Sequence, residues 1–195
     1  MPLGSGLGGG SADASALLNF FNKRLKLNLK RRTISSICTK IGADVEPCLN
    51  TNFKLLYGAS NKIFTFNKKP KLNLLLVYPN CLNPTKKIYL SNKIFSKSNN
   101  YKISLLKKNI LNLNYLFKFL NYEGNDLEQS AFKNNSVILK LLISLKKLKG
   151  CKLARMTGSG SACFAIFQNN AQLAKAIFVL KKHYKSYWIK KAKII

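Results

Sequence analysis

Met1-Pro2-Leu3-Gly4-Ser5-Gly6-Leu7-Gly8-Gly9-Gly10-Ser11-Ala12-Asp13 opens the chain and holds five of its eleven glycines. Directly behind it, Leu17, Leu18, Phe21 and Leu25 recur at helical spacing. Glycine lacks a Cβ, so such a stretch can turn sharply and aim several N–H groups at one anion. The positive end of the following helix adds to the attraction, and Ser11 or Asp13 can cap its first turn. The expectation is a phosphate loop opening into a helix, with a flexible Gly/Ser linker as the alternative. The strand that normally leads into such a loop is not in the chain, which starts inside the loop.

Two familiar patterns fit it poorly. Gly4-x-Gly6-x-x-Gly9 matches the dinucleotide fingerprint letter by letter. That fingerprint also needs an acid about 20 residues on, where Asp13 is too close and Asp44 too far. A Walker loop needs a lysine and then Ser/Thr after its last glycine, but Gly10 is followed by Ser11-Ala12.

Outward from the loop, a second helix is expected over Thr33–Ile41, stopped by Gly42, and residues 53–66 read as one or two short strands with a turn near Gly58. Lys68-Lys69-Pro70 reads as a joint, giving domains 1–69 and 70–195. Beyond it, Leu72–Tyr78 is a continuous apolar run ended by Pro79, which suits a buried strand. A helix starts at Pro84-Thr85, and Asn92–Lys102 reads as a polar loop. Helices are expected at 107–121, 137–149 and 171–183. Strands are expected at Leu153–Met156, Ala162–Phe167 and 187–193. The fold class is therefore α+β, with the second domain a split-βαβ, ferredoxin-like sandwich.

With 195 residues and 47% apolar content the chain can bury a real core. No apolar run approaches the roughly 20 residues of a membrane span, so no membrane partner is expected. Cys38, Cys48, Cys81, Cys151 and Cys163 are odd in number and widely spaced, which argues against disulfides or zinc and for a reducing, cytoplasmic setting. The net charge of +28 proposes a nucleic acid or an anionic membrane. Lysines spread over the whole chain, together with abundant Asn, Ile, Phe and Tyr, favour an AT-rich coding bias instead. No dedicated nucleic-acid partner is expected.

Against that background the six acids stand out: Asp13, Asp44, Glu46, Glu123, Asp126 and Glu128 fall in three groups beside turns. Asp44 is either a turn cap or a catalytic carboxylate. Glu46-Pro47 reads as turn chemistry, and Asn125-Asp126 as a helix cap or a catalytic pair. Gly158-Ser159-Gly160 is a hairpin turn or a second anion-facing loop. His183, the sole histidine, sits on a lysine-rich helix end, so no Ser-His-Asp or Cys-His set exists.

In combination these segments resemble the GHMP kinases. Pro2-x-Gly4-x-Gly6-Leu7-Gly8-Gly9-Gly10-Ser11-x-Asp13-Ala14 is similar to their nucleotide loop. Gly42-Ala43-Asp44-Val45, Pro79 through Thr85, Asn125-Asp126-Leu127-Glu128 and Arg155 through Ala165 follow in the family's order. The resemblance implies a two-domain fold, a nucleotide-binding domain followed by a ferredoxin-like one. It implies that Pro2, Leu3, Gly4, Ser5, Gly6, Leu7, Gly8, Gly9, Gly10, Ser11 and Ala12 wrap the phosphates of ATP. Asp44 matches the catalytic aspartate, Thr85 a hydroxyl near the active centre, and Gly158, Ser159, Gly160 and Ser161 the third glycine motif.

ATP and Mg²⁺ are the implied cofactors, with the metal ligands unassigned. The triple glycine points to the branch that phosphorylates the 2-hydroxyl of a cytidine diphosphate-linked methylerythritol for isoprenoid precursors. Homoserine and mevalonate-type kinases are the nearer alternatives, and an inactive or nucleic-acid-binding remnant the further one. The resemblance also implies about a hundred further residues ahead of the loop, of the size that completes a domain, including a catalytic lysine. The nucleotide-binding domain is thus expected to be partial, from a misplaced start or an eroded gene, and turnover by the chain alone slow. Ala12 replaces a usual serine, and Glu46-Pro47 a usual proline and apolar pair. Oligomeric state is left open, with a homodimer among the outcomes.

Overall fold

The computed structural model describes residues 1–2, 4–57, 62–93 and 100–193. The chain divides into two compact units: Gly8–Lys69 forms one, and Met1–Leu7 belongs with the segment from Pro70 onward in the other.

The first unit begins with helix α1 (Gly9–Arg24), whose N-cap Gly8 has φ 71° and offers no side chain. Ser11 and Asp13, expected as caps, lie inside the helix instead, because the left-handed glycine turns the chain in before them. Lys23 and Arg24 occupy the last turn, where the helix dipole favours cations. Leu17, Phe20 and Phe21 of α1 and Leu25 at its C-cap are about half exposed, an apolar face open to solvent. Helix α2 (Arg31–Ile41) ends at Gly42, and a 3-10 helix follows over Glu46–Leu49. Ser15, buried on α1, shares its one hydroxyl proton between Ala12 O at 2.9 Å and Cys48 O at 3.0 Å, and Asn19 donates to Leu49 O at 3.0 Å. These bonds fasten the 3-10 helix along α1.

Strands β1 (Lys54–Tyr57) and β2 (Lys62–Thr65) then form an antiparallel pair. Phe66 anchors it, with ring centroids 5.5 Å from Phe53 and 4.9 Å from Phe64. The turn expected near Gly58 lies outside the described residues.

The second unit is built on β3 (Asn73–Tyr78), β4 (Cys151–Met156), β5 (Cys163–Phe167) and β6 (Trp188–Ala192), in the order β4-β5-β3-β6 with every neighbour antiparallel. The helices are α3 (Thr85–Ser91), α4 (Asn100–Asn109), α5 (Leu113–Glu123), α6 (Glu128–Asn134), α7 (Ser136–Lys147) and α8 (Asn170–His183). This is the split-βαβ sandwich with extra helices between its first two strands.

Leu75 and Val77 of β3, Ala154 and Met156 of β4, and Ala165 and Phe167 of β5 share a core with Ile138, Leu141, Leu142 and Leu145 of α7 and Leu173, Ala176 and Leu180 of α8. Alternation along each strand sends these residues to the helical face. Each fully buried Leu or Ile stabilises by about 1.5–3 kcal/mol before chain entropy is counted. On the other face, the Arg155 guanidinium donates to Leu120 O at 2.5 Å and ties α5 to β4. Burial pulls its pKa down from the ordinary arginine value, against the opposing charges of Glu128 and Glu123.

Three expectations change. The single helix at 107–121 is two, α4 and α5, because Asn112 caps α5 by accepting from Tyr115 N at 3.1 Å. The polar stretch Asn92–Lys102 runs into α4 from Asn100 onward. The helix expected behind Asn125-Asp126 is present as the short α6, but its N-cap is Leu127, with no side-chain cap bond.

Candidate active site

In the second unit, the β4–β5 turn Thr157–Ala162 organises everything around it. Thr157 N donates to Ala162 O at 2.9 Å and Gly160 N to Thr157 O at 2.8 Å, with Gly158 and Gly160 at φ 48° and 86°. The first residues of the chain lie against this turn: Ala162 N donates to Ser5 O at 2.9 Å, and Ser5 Oγ to Pro2 O at 2.7 Å. Gly6 packs so closely that a Cβ there would stand 2.6 Å from Gly160 O and 2.8 Å from Thr157 O. Gly4 to Leu7 thereby takes its shape from the far end of the sequence. Leu3, expected in the same loop, lies outside the described residues.

The serines of the turn are engaged. Ser159 Oγ shares a hydrogen bond with Thr85 Oγ1 at 2.9 Å, and Ser161 Oγ donates to Cys81 O. Asn83, buried, donates to Ser159 O at 2.5 Å and accepts from Asn134 Nδ2 at 2.8 Å. Thr85, Ser159 and Ser161 thus brace the turn with their hydroxyls. Asn125 donates to Met156 O at 3.1 Å and Gly158 O at 2.9 Å while its Oδ1 accepts from Leu127 N at 3.0 Å. Glu128 accepts from Met156 N at 2.9 Å. The Cys163 thiol is pushed far up by burial, then by the Glu128 and Cys81 charges, so it offers no thiolate.

Asn83, Asn125 and Glu128 were not read as positioning residues. A polar residue one place before Pro84, and an acid in a lysine-rich chain, were the available signals. Their partners are carbonyls and amides distant in sequence, which no local pattern announces. Asn125→Asp turns a donor of two hydrogen bonds into a carboxylate facing two carbonyl oxygens. It is expected to cost about 2 kcal/mol or more, read as a lowered urea midpoint, while Asn67→Asp in the exposed bend after β2 leaves it unchanged.

In the first unit, α1 presents the N–H groups of Gly9, Gly10 and Ser11 at its start, with no side-chain cap and no acid in the first turn. Ala12 N already bonds Gly8 O at 3.0 Å. An uncapped, glycine-led helix start of this kind is a ready anion site. Asp44 lies exposed in the turn between α2 and the 3-10 helix, where Val45 N donates to Gly42 O at 3.1 Å. Buried Val45 anchors that turn, and Ser35 Oγ donates to Glu46 Oε2 at 2.8 Å beside it. Cys48, whose carbonyl is held by Ser15 of α1, has its thiol pushed up by burial and then by the Asp44 charge. The carboxylate of Asp44 is therefore carried by a segment clamped to α1 about 9 Å along the axis from Gly9, at 1.5 Å per residue.

Among the described residues no group of three His, Cys, Asp or Glu side chains could hold a metal, and no helix is long and apolar enough to cross a membrane. Magnesium bound through substrate phosphates needs only one or two carboxylates and keeps several waters.

The family model described as "GHMP kinases N terminal domain" matches residues 1–51, and "GHMP kinases C terminal" matches 104–186. A 4-diphosphocytidyl-2-C-methyl-D-erythritol kinase of Rhodospirillum rubrum is 30% identical over 196 residues, covering 100% of this chain and 63% of its own. One of the same name from Caldanaerobacter subterraneus is 34% identical over 186 residues, covering 94% and 63%. The chain thus spans less than two thirds of the length of these relatives. Among solved structures, a 4-(cytidine 5'-diphospho)-2C-methyl-D-erythritol kinase superposes with a TM-score of 0.73 at 21% identity, over 98% of this chain and 67% of that one. A homoserine kinase from Cytophaga hutchinsonii reaches the same TM-score, 0.73, at 18% identity, over 100% and 68%.

Proposed function

The chain belongs to the GHMP kinase family, and on that premise we propose that it transfers the γ-phosphoryl group of ATP to the 2-hydroxyl of 4-diphosphocytidyl-2-C-methyl-D-erythritol. The uncapped start of α1 behind a left-handed glycine carries the reading: it is built to receive phosphate oxygens on Gly9, Gly10 and Ser11 N–H. Asp44, on the segment fastened to the same helix, is the carboxylate that orients the substrate hydroxyl and takes its proton. The new bond joins that oxygen to the γ-phosphorus, and the bond to the β–γ bridging oxygen breaks, leaving ADP.

Phosphoryl transfer leaves little covalent work to a protein, so positioning and charge stabilisation dominate. Mg²⁺, when bound, offsets the charge on the phosphate oxygens. Gly158–Ser161, with Thr85 and Asn83 bracing them, hold the leading half of the nucleotide loop in shape. The choice of substrate rests on the names of the relatives, since the fold is shared with a homoserine kinase.

The test is transfer of label from γ-³²P ATP with Mg²⁺. Labelled product is expected with the cytidine diphosphate-linked alcohol and not with homoserine or mevalonate, at a rate well below the roughly 1–100 s⁻¹ of ordinary kinases. Label on homoserine or mevalonate moves the chain to another branch. ATP binding without transfer to any of the three overturns the activity. Tight polyanion binding that falls steeply with salt, in place of nucleotide binding, returns the reading to the charge of +28.

A further inference from the structure

At the end of the sheet opposite the Thr157–Ala162 turn lies a cavity of about 570 Å³. It is walled by Leu72, Leu113 and Phe117 and ringed by Lys71, Lys118 and Lys152, with no carboxylate among its lining residues. Strand β4 is six residues long, so about 20 Å of chain at 3.3 Å per residue separates this end from the glycine turn.

Lys152 reaches the cavity through a fault in the sheet. The β4–β5 register steps from Cys151↔Phe167 to Leu153↔Ile166, which leaves Lys152 without a partner on β5. A residue bulged from a ladder in this way has its side chain re-aimed, and bulges recur beside binding sites for that reason. Asn73 Nδ2 adds a bond at this end of the sheet by donating to Phe167 O at 3.3 Å. The floor is thus rigid sheet, while Lys118 and Phe117 come from α5, fixed to β4 by the Arg155–Leu120 bond. The size falls within the range of pockets for small organic ligands, about 300–1,000 Å³.

We propose that this cavity binds a phosphate ester with an apolar body, at a site separate from the nucleotide loop. The three ammonium groups take the phosphate, whose charge no neighbouring carboxylate opposes, and Phe117, Leu72 and Leu113 take the body. Lysines on a flat surface would attract any anion alike. These are gathered around an apolar hollow, which selects anions that carry a hydrophobic group.

The test uses 1-naphthyl phosphate as a fluorescent probe at about 0.15 M salt, where diffuse attraction is screened beyond about 8 Å. Saturable binding is expected, undisturbed by ATP, displaced by decyl phosphate and not by O-phosphoserine or 1-naphthol. The double variant Lys118→Gln/Lys152→Gln is expected to weaken it about tenfold or more, a difference of about 1.4 kcal/mol per decade. Lys175→Gln/Lys190→Gln, exposed lysines of α8 and β6, should leave it unchanged. Phe117→Ser should weaken the naphthyl ester and spare inorganic phosphate. An equal loss in both lysine pairs, displacement by O-phosphoserine as strong as by decyl phosphate, displacement by ATP, or no binding would each overturn the proposal.

Discussion

Asp44→Asn is expected to lower phosphoryl transfer by about 10²–10⁴-fold, the range for loss of a general base. Thermal stability and ATP affinity should stay at their wild-type values. The change removes one charge and keeps the shape. Asp44 is exposed, and its turn is held by Val45, by the Gly42–Val45 backbone bond and by the Ser15 clamp on Cys48, none of which uses the carboxylate. An exposed substitution away from such features typically alters stability by less than about 0.5 kcal/mol. Any large loss of turnover is then chemical. Transfer by Asp44→Asn within a few-fold of wild type would remove this residue from the mechanism.

The second large effect belongs to Gly6→Ala. At φ 72° an alanine already meets the left-handed penalty, about 1–2 kcal/mol. Its Cβ would also enter a space where Gly160 O stands at 2.6 Å and Thr157 O at 2.8 Å. Both are backbone atoms of a turn braced by Asn83, Thr85 and Asn125, so neither can swing aside as a side chain would. The leading segment is expected to detach from the turn, with ATP affinity falling about tenfold or more and the melting temperature dropping.

Two alanines separate the causes. Gly8→Ala, at φ 71° with nothing within 4 Å, carries the left-handed strain alone. Gly10→Ala, inside α1 with open space around it, should stabilise the helix by about 0.5–1 kcal/mol. If Gly6→Ala behaves like Gly8→Ala, the contact with the turn has no energetic weight.

The elements of this fold were legible where one period dominated. The run ending at Pro79 became β3, and the regular spacing of Ile138, Leu141, Leu142 and Leu145 became the buried face of α7. Legibility failed where periodicity ran through a break. Ile110, Leu113, Phe117 and Leu120 keep helical spacing across the junction of α4 and α5, and only the side chain of Asn112 stops it. The start of α1 was misplaced for a different reason. Ser11 and Asp13 have capping chemistry, but a left-handed Gly8 begins the helix before either can serve.

For the candidate site, residue types were readable and partnerships were not. Asn125 looked like a cap, and one oxygen of it does accept from Leu127 N, yet its amide holds two carbonyls of the β4 end. A single sequence can show that Asn125 sits beside a glycine and an acid at a turn. It cannot show which distant carbonyls will need it. The same limit hid Asn83, whose burial depends on three segments assembling around it.

The contact between Ser5 and Ala162 also sets an order of events in the life of each molecule. Its partners, Ser5 and Ala162, are far apart in sequence. At synthesis rates of roughly 5–20 residues per second, the first glycines wait on the order of ten to thirty seconds before the strand that shapes them leaves the ribosome. Through that interval α1 and the 3-10 helix can already form, being local, while the leading loop has no template. The phosphate-facing start of α1 can therefore be present early, while the segment ahead of it, Gly4 to Leu7, takes its final shape only once the β4–β5 turn that carries Ala162 is in place.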